Sequence, residues 1–258
     1  MRILVTNDDG VEAPGLRALA HTLVADGHEV VVVAPDGERS GAGAAIGWLH
    51  RSGPISHQDV DWPDLPGVAV HALGSQPATT VYAAWFGAFG PRPELVASGV
   101  NRGLNTGHLV LHSGTVGAAL TAAVLDLPAI AVSLAWGDDE HWDTAARLAA
   151  AAVASLRDAP GTVLSLNVPN VPFEDVLGVR GARPHPFDEV WAAESSPAEL
   201  TLRYEGHAGE PEPDTDIGLV RAGYAAATLL TGIAGVPADA IAAATTRAAG
   251  IGATTPTG

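Results

Sequence analysis

Residues 1–35 read MRILVTNDDGVEAPGLRALAHTLVADGHEVVVVAP. Arg2–Thr6 is an apolar run that ends in Asn7 and two adjacent carboxylates, Asp8 and Asp9. From Pro14 to Asp26, Leu16, Leu19, Ala20, Leu23 and Val24 recur at helical spacing. Pro14 suits a first helical turn, where its missing N–H is no loss, and Gly27 suits the helix end. Glu29–Ala34 then carries Val30, Val31, Val32 and Val33 in a row. Such a run of β-branched residues belongs to a strand covered on both faces, hence to a parallel sheet. Strand, helix and strand in this order begin an α/β fold.

The alternation continues. After an irregular stretch over Pro35–Pro66, the pattern predicts a strand at Val68–Leu73, a helix at Thr79–Phe89 and a short strand at Leu95–Ser98. It then predicts a helix at Thr115–Leu125, a strand at Ala129–Ser133, a helix at Thr144–Leu156 and a strand at Val163–Asn167. We expect a Rossmann-like, three-layer, doubly wound and mostly parallel sheet over residues 1–168. Beyond Val168, Pro, Gly and acidic residues become frequent. Alternating pieces at Glu199–Tyr204 and Ala222–Leu230 read as hairpin strands, Pro237–Ala249 as a terminal helix and Gly250–Gly258 as a loose tail. Residues 169–258 are therefore expected to form a C-terminal extension with a protruding hairpin.

Composition narrows the partners. The 258 residues are 47% hydrophobic, enough for one large core. The formal charge is −16, and every basic residue is arginine. Such a surface repels nucleic acid and anionic membranes. Cysteine is absent, so disulfides and a thiol nucleophile are excluded. The first apolar run reads as a strand and not as a signal peptide, and the Ala-rich stretches are too weakly apolar to span a bilayer. A soluble, cytoplasmic protein is expected.

Ligands of open parallel sheets bind beyond the carboxyl ends of the strands. Three loops should meet there: Asp8-Asp9, Glu38-Arg39-Ser40-Gly41, and the run from Ser98 to Asn105. Carboxylate, hydroxyl and amide oxygens form a hard donor set suited to Mg²⁺, Mn²⁺ or Ca²⁺. A divalent cation makes two adjacent negative charges favourable. The plainer reading is that Asp8 or Asp9 caps the helix near Pro14 or shapes a turn. A second feature is Ser113-Gly114-Thr115 at the start of an apolar helix. Its N–H groups, hydroxyls and positive dipole end suit an anion. An ordinary N-cap explains the same residues. A metal-ligand cluster and an anion cradle at one edge together imply a phosphoryl substrate.

The blocks TNDDG, VVVAPDGERSG, SGVNRGLNTG and HSGTVGAA occur in this order. In order and separation they resemble the SurE (survival protein E) family of metal-dependent nucleotide phosphatases. Weaker similarity continues into LSLNVPNVP and DTDIGLVRAGYAAATLL. The resemblance implies hydrolysis of nucleoside 5′- and 3′-monophosphates with one divalent ion, such as Mg²⁺ or Mn²⁺, per subunit. By matching position it implies Asp8, Asp9, Ser40 and Asn101 as metal ligands, with Asp8 and Asp9 catalytic. Asn105, Ser113, Gly114 and Thr115 would face the phosphate. It also implies a homodimer or homotetramer in which the C-terminal extension is exchanged. Asp8 or Asp9 could orient the attacking water, and direct carboxylate attack is the other route open.

Departures from the family pattern fall near the pocket. Further Ser or Thr residues usually follow the Ser-Gly pair, and here the loop reads Ala42-Gly43-Ala44-Ala45-Ile46-Gly47. Thr79 stands where the family carries an acid, and His112 where it carries Tyr. A specialised phosphomonoester is one consequence these changes allow. Arg39 and Arg102 adjoin presumed ligands and suit phosphate, but a structural ion pair explains each equally well. His108 and His112 are four apart without a third zinc ligand, and His112 as a substrate contact or acid is the minority reading. Trp48 and Trp62 are candidates to stack on a base, with packing the commoner role. Two other functions compete: a nucleotide-sugar glycosyltransferase, because the opening strand–helix–strand resembles one, and a non-catalytic nucleotide- or metal-binding module.

Overall fold

The computed structural model describes residues 1–47, 53–186, 189–196, 198–207 and 209–232. A nine-stranded sheet forms the centre of the molecule. Along the chain, β1 (Arg2–Thr6) leads to α1 (Pro14–Ala25) and β2 (Glu29–Pro35). Then come β3 (His57–Asp59), β4 (Ala69–Leu73), α2 (Pro77–Trp85) and β5 (Leu95–Arg102). They are followed by α3 (Gly114–Val124), β6 (Ala129–Leu134), α4 (Trp142–Leu156) and β7 (Thr162–Val168). The last part holds β8 (Val179–Gly181), β9 (Glu189–Ser195), β10 (Leu200–His207), α5 (Asp216–Arg221) and β11 (Ala225–Thr231).

The strand order is β3-β4-β2-β1-β5-β6-β7-β11-β8. From β4 through β7 all pairs are parallel, while β3 and β11 run antiparallel to their inner neighbours. The expected doubly wound α/β architecture is present. Chain order reverses between β1 and β5, which makes their carboxyl ends the switch point where such sheets bind ligands.

The two faces follow from the period-2 pattern of the strands. Ile3 and Val5 belong to the core under α1 and α4, and Leu4, Val31 and Val33 to the core under α2 and α3. With both faces covered, the unbroken apolar runs of β1 and β2 are fully accounted for. Truncating a fully buried leucine such as Leu4 to alanine should cost ~2–5 kcal/mol.

Several boundaries differ from expectation. Helix α2 starts at Pro77 and ends at Trp85, short of Phe89, because the chain turns at Gly87 with φ 84°. Strand β5 runs on to Arg102, with an irregularity in its pairing between Ser98 and Asn101. The short edge strand β3 lies within the stretch expected to be irregular. Residues 216–221 form α5, a helix the sequence pattern does not predict, and the strand expected from Ala222 begins at Ala225. Strands β8 and β11 join the main sheet, so the sheet continues past Val168. The hairpin β9–β10 pairs only with itself among the described residues. The expected helix at Pro237–Ala249 and tail at Gly250–Gly258 lie outside the described residues, as does Trp48. No described helix is long and apolar enough to cross a membrane.

Candidate metal and phosphoryl site

Three loops converge at the carboxyl ends of β1, β2 and β5. Pairing of Thr6 with Ser98 sets the Asn7–Asp9 turn beside the end of β5. The Asn7 side chain closes that turn, donating to Gly10 O at 2.8 Å and accepting from Gly10 N–H at 3.2 Å. Gly10 has φ 99°, and a Cβ there would sit 3.0 Å from Gly37 Cα, so the glycine of Asp-Asp-Gly is required twice over. The Arg39 N–H donates to Asp8 O at 2.7 Å and docks the loop after β2 onto the two acids. Neither aspartate caps α1, whose N-cap is Ala13 with no side-chain cap.

Asp8 is buried at 3% exposure and lies over the first turn of α3. The Thr115 hydroxyl donates to Asp8 Oδ1, and the Thr115 N–H also bonds this carboxylate. Gly114 makes the approach possible, because a Cβ there would fall 2.7 Å from Asp8 Cβ. Ser113 is the N-cap, its Oγ accepting from Val116 N–H at 3.1 Å. The amino end of α3 therefore already faces an anion, and that anion is Asp8. Burial raises the Asp8 pKa despite these hydrogen bonds, with Glu38 adding to the rise. Asp9 is pushed up to about 7, first by burial and then by the charges of Asp8 and Glu38. A hydrogen bond from the Arg102 backbone and the Arg102 charge offset part of that rise.

The other expected residues lie on the loop after β2 and at or beyond the end of β5. Ser40 is exposed on the docked loop, its N–H donating to Glu38 Oε1 at 2.7 Å. Asn101 is half-buried at the end of β5 and donates to Gly103 O at 2.8 Å. Asn105 is buried, its amide donating to Ser133 Oγ at 2.8 Å. Its backbone is clamped by Asn167, which accepts from Asn105 N–H at 2.8 Å and donates to Asn105 O at 3.0 Å.

The two arginines are engaged in ion pairs: Arg39 with Asp36 at 2.6 Å, and Arg102 with Glu140. The loop Gly41–Gly47 leans on α3. Gly43 N–H donates to His112 O at 3.0 Å, and a Cβ on Gly117 would lie 2.2 Å from Gly43 O. His112 itself is exposed. Trp62 is buried beneath Arg17, with the guanidinium 4.4 Å from its ring centre, so it packs and does not stack on a base. Among the described residues no three acids or histidines gather into a metal cluster. A site made of two acids, one hydroxyl and one amide contains no such trio.

Sequence reading missed three contributors: Glu38 as a third charge beside the aspartates, Asn167 and Asp216. The Asp216 carboxylate is buried and accepts from three backbone N–H groups. These are Gly107 at 2.8 Å, His185 at 3.0 Å and Ile217 at 2.9 Å. It ties the loop after Asn105 to α5. Asn167 and Asp216 stand inside the blocks LSLNVPNVP and DTDIGLVRAGYAAATLL, which marked the right places without revealing a role.

Comparison with known proteins agrees with this fold. Residues 3–187 match the family described as Survival protein SurE. The 5′-nucleotidase SurE of Xanthomonas campestris pv. campestris (strain B100) is 40% identical over 239 residues, covering 88% of each chain. That of Xanthomonas axonopodis pv. citri (strain 306) is 39% identical over 239 residues with the same coverage. The crystal structure of the SurE protein from Aquifex aeolicus superposes with a TM-score of 0.80 at 25% identity, covering 96% of this chain and 100% of that one.

Proposed function

The chain belongs to the SurE family, and from that premise we propose how its residues hydrolyse a nucleotide phosphomonoester. The protein is a phosphatase of the 5′-nucleotidase type, as its relatives are named. The observation that carries the site reading is the Asp8–Asp9 pair, buried together with both pKa values raised. Two carboxylates held in this way oppose their own ionisation, and a doubly charged ion between them reverses the sign of that cost. The neighbouring donors are oxygen alone, which fits Mg²⁺ or Mn²⁺ and not a thiophilic metal. Asp8, Asp9, Ser40 and Asn101 would hold one such ion per subunit.

A divalent ion held by these four residues would supply polarisation of the phosphoryl oxygens and a lowered pKa for a water beside them. The protein's own groups do the rest. Asp8 is tied down by the Thr115 hydroxyl and N–H and serves as a fixed ligand. Asp9 carries fewer hydrogen bonds and is the carboxylate placed to take the proton of the attacking water. At the first turn of α3, the Gly114 N–H and the positive dipole end face charge that grows on the equatorial oxygens, while Thr115 is spent on Asp8. Asn105, braced by Ser133 and Asn167, presents a rigid edge to the same space. With Arg39 and Arg102 in ion pairs, these helix-end groups and not the arginines carry the phosphate contacts.

Phosphate release from AMP and from p-nitrophenyl phosphate tests the reading. Activity should appear with Mn²⁺ or Mg²⁺ and vanish with EDTA. Asp8→Asn should lose roughly 10²-fold or more in kcat/KM while remaining folded. Equal activity with and without metal, or a fully active Asp8→Asn, would overturn it.

The extension completes the proposal. Leu200 and Leu202 of the hairpin are 65% and 61% exposed, on β10, which pairs only with β9 among the described residues. Such an apolar arm calls for a partner. We assign it to exchange with a second copy in a homodimer, or in a homotetramer built from such dimers.

A further inference from the structure

Two arginines touch the aspartate pair through their backbones, and both send their charge elsewhere. The Arg39 N–H donates to Asp8 O at 2.7 Å, while its guanidinium pairs with Asp36 at 2.6 Å. Arg102 follows Asn101 at the end of β5, and its N–H donates to the Asp9 carboxylate. Its side chain and Asp9 wall the same cleft of ≈ 390 Å³. In a chain of charge −16, an arginine so close to a carboxylate is its expected counterion. The structure shows a different pairing. Among the described residues, the carboxylate within ion-pair distance of the Arg102 guanidinium is Glu140, which lines that cleft too.

Glu140 sits on a backbone that is fixed on both sides. Asn170 Nδ2 donates to Asp139 O at 3.0 Å, and Asn170 Oδ1 accepts from His141 N–H at 2.8 Å. Gly137 leaves room for that amide, since a Cβ there would fall 2.0 Å from Asn170 Nδ2. The Glu140 side chain is only 19% exposed. The Arg102 guanidinium also lies 4.7 Å from the Trp136 ring centre. Gly103 allows that indole to approach, because a Cβ there would fall 2.5 Å from Trp136 Nε1. An ion pair at its nitrogens and an indole beside it therefore fix the direction of the guanidinium.

We propose that Glu140 is a positioning residue: it holds the Arg102 guanidinium off Asp9 and so keeps both carboxylates of the pair open to a divalent ion. Arg102 and the ion compete for the same oxygen lone pairs. A guanidinium on Asp9 would form charge-assisted hydrogen bonds with it and would set a positive charge beside the place of the doubly charged ion. With Glu140 in place, the charge of the arginine is answered outside the site and Asp9 keeps its oxygens. Asp36 treats Arg39 in the same way beside Asp8. The inference rests on the metal reading of Asp8 and Asp9 above, and adds what stops the protein from filling that site with its own cation. Asn170 acts one step further back, through the backbone on either side of Glu140.

The test is a double-mutant cycle on Mn²⁺ affinity, read in the full-length protein from the electron paramagnetic resonance signal of free Mn²⁺, with no substrate present. Glu140→Gln keeps the size of the side chain and removes its charge. It should weaken Mn²⁺ binding roughly 10- to 100-fold, the worth of the charged hydrogen bonds that Arg102 then makes to Asp9. Arg102→Met alone should bind Mn²⁺ at least as tightly as the unaltered protein, because the competitor is gone. In the Arg102→Met background, Glu140→Gln should cost less than about twofold. A Glu140 that acted only through its distant charge, or only by shaping its loop, would cost the same in both backgrounds. An equal cost in the two backgrounds, or a Glu140→Gln protein that binds Mn²⁺ within about twofold of the unaltered one, would overturn the inference while leaving the metal site intact. An unaltered protein that binds no Mn²⁺ would remove both. Should Glu140→Gln fail to fold, Asn170→Ala, which frees the Glu140 backbone, takes its place in the same cycle with the same expected pattern.

Discussion

Asp9 is the most informative single residue. Its pKa of about 7 in the folded chain, against 3.8 ordinarily, means that the native state holds a proton which the unfolded chain releases. The stability tied to that proton is complete below pH 3.8 and is lost as pH rises through about 7. Asp8 is raised as well and acts in the same direction. In EDTA, the melting temperature should therefore fall between pH 5.5 and pH 8 through this pair. A saturating divalent ion should flatten or reverse the trend, because it binds the ionised form and stabilises the native state. Apparent Mn²⁺ affinity should tighten up to roughly tenfold per pH unit below ~7 and level off above it. Melts at several pH values with and without Mn²⁺ read all of this, and parallel curves would remove the buried pair from the metal site.

At the scale of elements, the site is a meeting of loop ends held by buried braces. Asp216 is the longest-range brace, since one carboxylate fixes the loop after Asn105, the chain at His185 and the start of α5. Asp216→Ala would leave three backbone donors unpaired in the interior, at ~1–3 kcal/mol each. A loss of at least ~3 kcal/mol in urea unfolding is the expected outcome, and a loss below ~0.5 kcal/mol would show the brace to be idle.

Elements of this kind divide by how far the sequence reveals them. The strands β1 and β2 and the helices α1 and α3 announce themselves through local periodicity, and the Asp8-Asp9 turn through its position at a strand end. Residues such as Glu38, Glu140 and Asp216 act through partners up to 109 positions away in the chain, and no local pattern encodes that distance. Helix α5 was concealed for a different reason. It is six residues long, too short for a helical period to show, and its start is fixed by the Thr215 cap and not by propensity. Ser113 shows a third limit, because a cap and an anion cradle require the same residue types, and only coordinates show that its hydroxyl is spent on Val116.

At the scale of the molecule, the switch-point site and the β9–β10 hairpin are separate pieces of one chain. The sheet spans residues on both sides of Val168 through β8 and β11, so the core and the extension share a single hydrogen-bonded framework. Among the described residues, only β9 and β10 stand apart from it. Light scattering on a size-exclusion column should give twice or four times the chain mass. Replacing residues 189–207 by a short Gly-Ser turn should reduce that mass to one chain, and an unchanged mass would show that assembly uses another surface.

The central claim is that Asp8, Asp9, Ser40 and Asn101 gather around one divalent ion. Anomalous diffraction from crystals soaked in Mn²⁺ tests it most directly. We expect one strong peak per chain, with oxygen atoms of these four residues ~2.0–2.6 Å from it. A peak elsewhere, or no peak at saturating Mn²⁺ beside an intact Asp8–Asp9 turn, would contradict the account.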